Sequence, residues 1–390
     1  MARVIDLQRA DDPRDIVHRA VQAIAEHECI ALPSETVYGL AASALSVAAV
    51  EQMMQLKRCD GSARHGGCSI AIAVKSADEV LDYICDDSML ALRLARRCWP
   101  GPVTLMVPCD MARSAASRFP TGVRELLIDR DGYVSFRVVA HRLFENMLKY
   151  CAGPIALTGA SRAGKSPALT GAKVAEEFGD EVSLIVDDGP TRFGGPSTVV
   201  RINQERYRII REGVVETAAV RGYARPSILV VCTGNTCRSP MAEVLLKKHL
   251  EEHFAGQPSG TILPSVASVG LAAMPGDPAS PQSVQVMSER GLDLSDHQSQ
   301  PLGEQALQSA DLVLTMTRSH RDGILMRWPD ASDRVFTLRR DGGDISDPVG
   351  SPVEIYKACA DQIDRELAAW VAELGPHWTV SPDTDDGDAE

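Results

Sequence analysis

Residues 228 to 243 read Ile-Leu-Val-Val-Cys-Thr-Gly-Asn-Thr-Cys-Arg-Ser-Pro-Met-Ala-Glu, and this stretch constrains the chain more than any other. Ile228 to Val231 is an apolar run with β-branched residues that stops at Cys232. Five residues separate Cys232 from Arg238, and Ser239-Pro240 then opens a segment of helical periodicity. A strand, a tight loop and a helix N-terminus in that order make an anion site, because backbone N–H groups and the helix dipole converge on one point. A thiol at the loop's start and a guanidinium at its end equip that site to cleave a phosphate bond. A buried cysteine beside a strand is common. That bland reading leaves the Cys-x5-Arg spacing joined to Ser-Pro unexplained.

The site sits late in a chain of 390 residues, a length that suits two domains. No apolar run approaches the ~18 residues of a membrane span. The N-terminus, Met-Ala-Arg-Val-Ile-Asp, lacks the apolar core of a signal peptide. A cytoplasmic protein without membrane contact is therefore expected, with its ten irregularly spaced cysteines mostly reduced. There is no Cys-x2-Cys pair and no His-Glu-x2-His, so no metal site is expected. Charge divides the chain: up to Gly222 there are 27 Lys/Arg against 28 Asp/Glu, whereas 13 face 25 from Tyr223 onward. Neither half matches a duplex binder held by phosphate neutralisation.

In the first half, helical spacing over 14–28 leads to a strand at Cys29–Leu32, and Pro33 to Leu40 reads as a turn carrying hydroxyls into a small-residue helix. Helices are expected at 47–56 and over most of 78–98. Strands are expected at 69–74, 103–107, 126–128, 135–139, 155–157, 182–186, 198–202 and 207–211. The irregular alternation suggests a mixed α/β sheet. Pro33-Ser34-Glu35-Thr36-Val37-Tyr38-Gly39-Leu40, Trp99-Pro100-Gly101-Pro102-Val103-Thr104, Phe136-Arg137-Val138, Ser197-Thr198-Val199-Val200 and Arg211-Glu212-Gly213 together resemble the YrdC-like L-threonylcarbamoyl-AMP synthases. The resemblance implies a twisted mixed sheet with helices over residues 8–216. It also implies a reaction in which ATP with Mg²⁺, L-threonine and bicarbonate give an adenylate for tRNA adenosine-37 modification, with tRNA or the modification machinery as partners. Carried over as ATP- or threonine-binding residues are Thr36, Tyr38, Lys57, Arg58, Thr158, Ser197 and Arg211. The sequence departs from the family in three places. Lys-x-Arg reads Lys57-Arg58-Cys59, Ser-Ala-Asn-x-Ser-Gly reads Gly159-Ala160-Ser161-Arg162-Ala163-Gly164, and the Thr-Glu-Thr turn starts at Ser34. Two readings stay open for this half, an active synthase or a degenerate module that binds nucleotide or RNA.

Residues 217–226 read as a linker. The second domain, 227–376, alternates strands and helices: strands at 228–231, 265–269, 311–316 and 335–338, helices at 241–253, 281–290 and 355–374. Such alternation gives a four-stranded parallel sheet with its ligand at the strands' C-terminal ends. Residues 377–390 carry five carboxylates and read as a disordered acidic tail. Cys232 to Pro240, Asp311 to Met316 and Asp344-Ile345-Ser346-Asp347-Pro348 together resemble the low-molecular-weight protein phosphatases, which have a flavodoxin-like sheet and need no cofactor.

That resemblance makes Cys232 the nucleophile and Arg238 the grip on phosphoryl oxygens. Ser239 supports the sulfur, and Asp347 is the proton donor and then acceptor. Backbone N–H groups of Thr233, Gly234, Asn235, Thr236 and Cys237 bind the phosphate of phosphorylated proteins. Asn235 suits a positive φ, and Ser268 and His297 brace the loop. Thr236 and Pro348-Val349-Gly350 resemble the protein-arginine-phosphatase branch, and the aromatic that stacks on phosphotyrosine is missing. Phosphoarginine therefore stands ahead of phosphotyrosine. Cys237 is either a loop-lining thiol or the partner of a protective disulfide with Cys232. An arsenate reductase is a minor alternative, because Cys359 alone follows Cys237.

Overall fold

In the computed structural model, residues 2–57, 70–83, 88–109 and 114–382 are described. They fall into two compact units that meet in sequence at Tyr223 and Ala224. No helix among them is long and apolar enough to cross a membrane.

The first unit contains β1 (Arg3–Asp6), α1 (Pro13–Ala25), β2 (Ile30–Leu32), β3 (Gly39–Ser43), α2 (Val47–Lys57), β4 (Ala71–Ala73), α3 (Met89–Cys98), β5 (Val103–Pro108), α4 (Thr121–Leu127), β6 (Tyr133–Arg137), α5 (Arg142–Tyr150), β7 (Ile155–Gly159), α6 (Gly171–Phe178), β8 (Leu184–Asp187), β9 (Thr198–Asn203), β10 (Arg206–Arg211) and α7 (Thr217–Ala224). Its strands lie in the order β1-β8-β2-β3-β7-β4-β6-β5-β9-β10. The sheet is mixed: β1 pairs with β8 and β5 with β9 in parallel, while β3 with β7 and β9 with β10 are antiparallel. Helix starts follow local chemistry. Asp12 caps α1 by accepting the Arg14 N–H, with Pro13 at the first position, where a missing N–H costs nothing. Ile16, Val17, Ala20, Ala23 and Ile24 of α1 pack with Leu143, Phe144 and Met147 of α5 over the sheet.

Several expectations are corrected. Residues 39–43 form β3 rather than a helix, because Gly39–Ser43 finds strand partners on both sides in β2 and β7. Residues 126–127 end α4, and only Ile128 bridges to Val134. The domain begins before residue 8, since Arg3–Asp6 registers against Leu184–Asp187. Within the expected linker, Thr217–Ala224 is helical and buries Val220 and Ala224.

The second unit contains β11 (Ser227–Cys232), α8 (Arg238–His253), β12 (Ser265–Gly270), α9 (Pro281–Ser288), α10 (Glu304–Ser309), β13 (Leu312–Thr315), α11 (Arg318–Arg327), β14 (Val335–Thr337) and α12 (Val353–Ala372). The sheet is four-stranded and all parallel, in the order β12-β11-β13-β14. Alternate residues of β11 feed two cores. Ile228 and Val230 meet α8, α9 and α12, while Leu229 and Val231 meet α10 and α11. That two-sided burial explains the unbroken apolar run in the sequence. Gly291 adopts φ +74°, and Leu292 N–H closes on Met287 O at 2.9 Å, so the chain leaves α9 through a left-handed cap. Residues 377–382 of the expected tail belong to the folded unit. Trp378 and Val380 are buried and Val380 pairs with Ile262, because these apolar side chains precede the acidic run. Residues 383–390 lie outside the described residues.

Candidate active sites

β11 runs between β12 and β13 and delivers Cys232 at its C-terminal end, where parallel sheets place ligands. Helix α8 starts at Arg238 with Pro240 in its first turn, among N–H positions that have no helical partner anyway. The buried Cys232 Sγ lies 3.0 Å from Ser239 Oγ and accepts the Asn235 N–H at 3.2 Å. Asn235 has φ +55°, a conformation a non-glycine residue keeps only when its surroundings hold it. They do so here. Asn235 Nδ2 donates to Ser239 Oγ and to Ser268 Oγ, each at 2.9 Å, and its Oδ1 accepts the Gln300 N–H at 2.8 Å. His297 Nε2 meets Asn235 O at 2.8 Å. Ser268 passes the chain on to Glu243, with its Oγ donating at 2.6 Å and its N–H at 3.0 Å. The loop conformation is thus fixed by polar partners drawn from α8, β12 and the 297–300 segment.

Arg238 is buried and reaches across to the 344–348 segment. Its Nη1 donates to Ile345 O at 3.0 Å and its Nη2 pairs with Asp347. Its Nε is buried without a protein partner, a donor left for a ligand oxygen. Asp347 is exposed, and its other oxygen accepts the Val349 N–H at 3.2 Å. Val349 itself is 66% exposed, so no ring covers this side. On another side, Cys237 Sγ lies 3.4 Å from Tyr356 Oη, and Thr236 Oγ1 is 3.7 Å from Cys237 Sγ. Burial pushes the Tyr356 phenol up to about 12 and the Cys359 thiol up to about 12. Cys232, Arg238, Ser239, Asp347 and the loop residues Thr233 to Cys237 are therefore brought together at one point. Sequence reasoning missed Glu243 and His320. Glu243 closes the opening motif, and its place one helical turn beyond Ser239 is the signal that could have found it.

The first unit holds a cleft of ≈ 220 Å³ lined by Ser34, Lys57, Arg137, Thr158, Ser197 and Arg211, among others. Lys57 ends α2, and its Nζ donates to Gly159 O at 2.9 Å and to Ser161 O at 2.7 Å. Burial, with a contribution from Arg211, lowers Lys57 to about 8, although Glu177 pulls the other way. Arg211 also sits below its ordinary value through burial and the neighbouring Arg137. It donates to Ser197 O at 3.1 and 3.2 Å, and Ser197 Oγ meets Thr104 Oγ1 at 2.9 Å. Arg137 Nη2 donates to Glu35 Oε1 and to Thr36 Oγ1, each at 2.8 Å, and its Nε is buried without a partner. Three cationic side chains, with Arg137 acting on Arg211 and Arg211 on Lys57, make this cleft electropositive.

Four of the expected residues, Lys57, Thr158, Ser197 and Arg211, line this cleft. Two do not. The turn at 33–38 presents Ser34 and Val37 to the cleft and turns Thr36 and Tyr38 inward. Thr36 steadies Arg137. The Tyr38 hydroxyl lies 2.8 Å from Asp187 Oδ1 and 2.7 Å from Gly189 O, which ties the turn to the end of β8. Arg58 lies outside the described residues. Arg137 was missed, though an arginine closing a fully buried strand is a signal in itself. The altered 159–164 loop is held by Arg162, which donates to Leu56 O at 2.8 Å and to Glu177 O at 3.1 Å and pairs with Glu181.

Family comparisons follow this division. Residues 22–213 match the Sua5/YciO/YrdC family model, described as "Telomere recombination". Residues 227–378 match the model for low molecular weight phosphotyrosine protein phosphatase. The protein-arginine-phosphatase of Bacillus subtilis is 38% identical over 151 residues, 38% of this chain and 95% of the relative. The threonylcarbamoyl-AMP synthase of Pyrococcus abyssi is 33% identical over 190 residues, 49% of this chain, which spans about half (52%) of that relative. A solved structure of the P. abyssi Sua5 protein matches with a TM-score of 0.50 at 22% identity, covering 87% of this chain and all of that one, a likeness of fold alone. Through the loop at Cys232 and the sheet that carries it, the chain belongs to the low-molecular-weight phosphotyrosine protein phosphatase family, and it joins that enzyme domain to a YrdC-like one.

Proposed function

We propose that the second domain is a cysteine-dependent protein phosphatase whose first substrate is phosphoarginine. The observation that carries this reading is the Cys232 sulfur, held by Asn235 N–H and Ser239 Oγ beside an Arg238 Nε that has no protein partner. In the first step the thiolate attacks phosphorus, the P–N bond breaks, and Asp347 gives its proton to the departing guanidine nitrogen. Loop N–H groups and Arg238 take the charge that builds on the phosphoryl oxygens. In the second step Asp347 removes a proton from water, the oxygen attacks phosphorus, and the S–P bond breaks to release inorganic phosphate. Ser239 Oγ then stabilises the returning sulfur anion. The Thr236 hydroxyl and the aliphatic Val349, where a phenol ring would want an aromatic, favour the nitrogen leaving group over phosphotyrosine. Comparing kcat/KM on phosphoarginine and phosphotyrosine tests this choice, with Cys232→Ser as the inactive control. A Thr236→Ile protein that leaves the ratio unmoved would contradict it.

For the first domain the reading is synthesis of threonylcarbamoyl-AMP from L-threonine, bicarbonate and ATP, with magnesium arriving on the triphosphate as part of the substrate. Lys57, Arg137 and Arg211 supply cations for the phosphates, and Ser34, Thr104 and Ser197 supply hydroxyls. Use of the product on tRNA, and a cytoplasmic location, belong to this reading. The free thiol at Cys232 needs a reducing compartment. The replacement of hydroxyls in the 159–164 loop by an Arg162 clamp favours a second reading, a module that binds nucleotide without turnover. Incubating the full chain with ATP, L-threonine and bicarbonate separates the two. Pyrophosphate and adenylate above a Lys57→Ala control support the synthase, and their absence leaves the binding module.

A further inference from the structure

The phosphatase loop carries a polar pair that the reaction just described does not use. Thr233 directly follows the nucleophile and its side chain is exposed. Its backbone is pinned, since Thr233 O accepts the Ala272 N–H at 2.9 Å and Cys232 O accepts the Leu271 N–H at 3.0 Å. The hydroxyl Oγ1 lies 2.8 Å from Nε2 of His320, a buried residue in the first turn of α11. On the ring's other side, Nδ1 lies 2.9 Å from Thr317 Oγ1. That oxygen caps α11 and already accepts the His320 N–H at 3.2 Å, so its own hydrogen is free to go to Nδ1. In the tautomer this arrangement favours, the ring proton sits on Nε2 and is donated to Thr233. Burial first, and then Arg238, hold His320 below the ordinary histidine value, with Asp347 and Asp344 pulling the other way. The ring is accordingly neutral near pH 7 and keeps one tautomer.

We propose that Thr233, oriented by His320, is a specificity-determining contact of the phosphatase, its hydroxyl oxygen accepting an N–H of a guanidinium leaving group. The proposal rests on the phosphatase reading above. With Nε2–H filling one lone pair, the Thr233 oxygen keeps another for a donor. The segment that carries Asp347 is tied to the start of α11, with the Ile345 N–H donating to Met316 O and the Arg318 N–H to Asp344 Oδ1, each at 2.8 Å, which puts the pair on the side where the leaving group departs. A guanidinium presents N–H groups to such a flank. A phenol ring presents carbon, and closing over it would strip water from the hydroxyl without replacing its bond. A site built to hydrogen-bond its substrate rejects an analogue that lacks the partner. His320 acts through Thr233 and is a positioning residue.

The test measures kcat/KM for phosphoarginine and p-nitrophenyl phosphate on the full chain and on Thr233→Val, Thr233→Ser, His320→Leu and the Thr233→Val/His320→Leu double variant. Thermal unfolding checks that each variant is folded. Thr233→Val should lower the phosphoarginine value roughly tenfold relative to the p-nitrophenyl phosphate value, the size of one hydrogen bond to a charged donor. Thr233→Ser should recover most of the loss. His320→Leu should shift the ratio the same way, and the double variant should be no worse than Thr233→Val alone. Equal losses on both substrates, no loss on either, or losses that multiply would overturn the proposal while leaving the phosphatase reading intact. A wild-type protein that cleaves the aryl ester and not phosphoarginine would overturn the proposal together with the choice of phosphoarginine, and leave only the cysteine-dependent phosphatase. A protein that cleaves neither refutes both.

Discussion

Asn235 offers the sharpest test of how the phosphatase loop is held, because two separable effects meet at one fully buried residue. Replacing it with alanine removes the bonds to Ser239 and Ser268 and the acceptor of the Gln300 N–H. At a net value of about 1 kcal/mol each, these come to roughly 3 kcal/mol. Alanine must also adopt φ +55°, where the Cβ approach costs about 1 kcal/mol more. Asn235→Ala should therefore lose about 4 kcal/mol. For a unit of this size that lowers its transition by roughly 8–16 °C. Asn235→Gly loses the same bonds without the left-handed penalty, though its freer unfolded chain gives back about 0.5–1 kcal/mol. Glycine should thus be at least as stable as alanine, and both should sit far below wild type. Denaturant unfolding of the full chain, followed by near-UV circular dichroism with its two transitions resolved, reads both values. An alanine variant within 0.5 kcal/mol of wild type, or one clearly more stable than the glycine variant, would refute this account of the loop.

Three further outcomes are expected. Gly270→Ala would place a Cβ 2.5 Å from Thr233 O and 3.0 Å from Asn235 N, both backbone atoms that cannot swing away, so kcat should fall at least tenfold even where the protein remains folded. Asp347→Asn removes the proton donor and the ion pair on Arg238 together. Turnover should drop by about 10²–10⁴ while the affinity for inorganic phosphate, read by calorimetry, rises because Arg238 no longer has a competing carboxylate. For Lys57, burial lowers the folded value from 10.5 to about 8, so above pH 8 the unfolded chain binds the extra proton. Its contribution to stability is complete above 10.5 and is lost as pH falls through 8. Lys57→Met should abolish that segment of the stability–pH curve. The folded-state ammonium is discharged around pH 8, so ATP affinity should weaken between pH 7 and 9 in wild type and stay flat in Lys57→Arg.

How much of this was legible in the sequence depends on how far apart the cooperating residues lie. Nucleophile, loop amides, guanidinium and supporting serine occupy Cys232 to Ser239, and one strand–loop–helix unit folds them into place. Only Asp347 comes from elsewhere, and its Asp-Pro context marks it. The β11 run also declared itself, since burial on both faces leaves no room for a polar residue between Ile228 and Val231. By contrast β3 was misread, because Gly-Leu-Ala-Ala-Ser has no period of its own and becomes a strand only through pairing with β2 and β7. The same holds for Arg3–Asp6, a short edge strand whose partner lies some 180 residues away in β8. Helix α7 was missed for a related reason. Its apolar residues are mostly small alanines, and Val220 and Ala224 favour a helix only once there is a surface to bury them.

The cleft of the first domain shows why a motif identifies a fold better than it identifies a site. Its cations come from the end of α2, the end of β6 and the end of β10, so their aim depends on a helix end and on the register of two separate strands of the sheet. A strand exposes alternate side chains to opposite faces, which a linear motif does not display. Ser34 and the apolar Val37 reach the cleft, while Thr36 and Tyr38, as polar in the sequence as Ser34, turn inward to hold Arg137 and the end of β8. Their roles differ in a measurable way. A Thr36→Val change acts on ligands only through the guanidinium it supports, so it should weaken ATP binding and lose most of that effect in an Arg137→Lys background. A direct ligand contact would instead cost the same in either background, and double-mutant coupling near zero would return Thr36 to the binding surface.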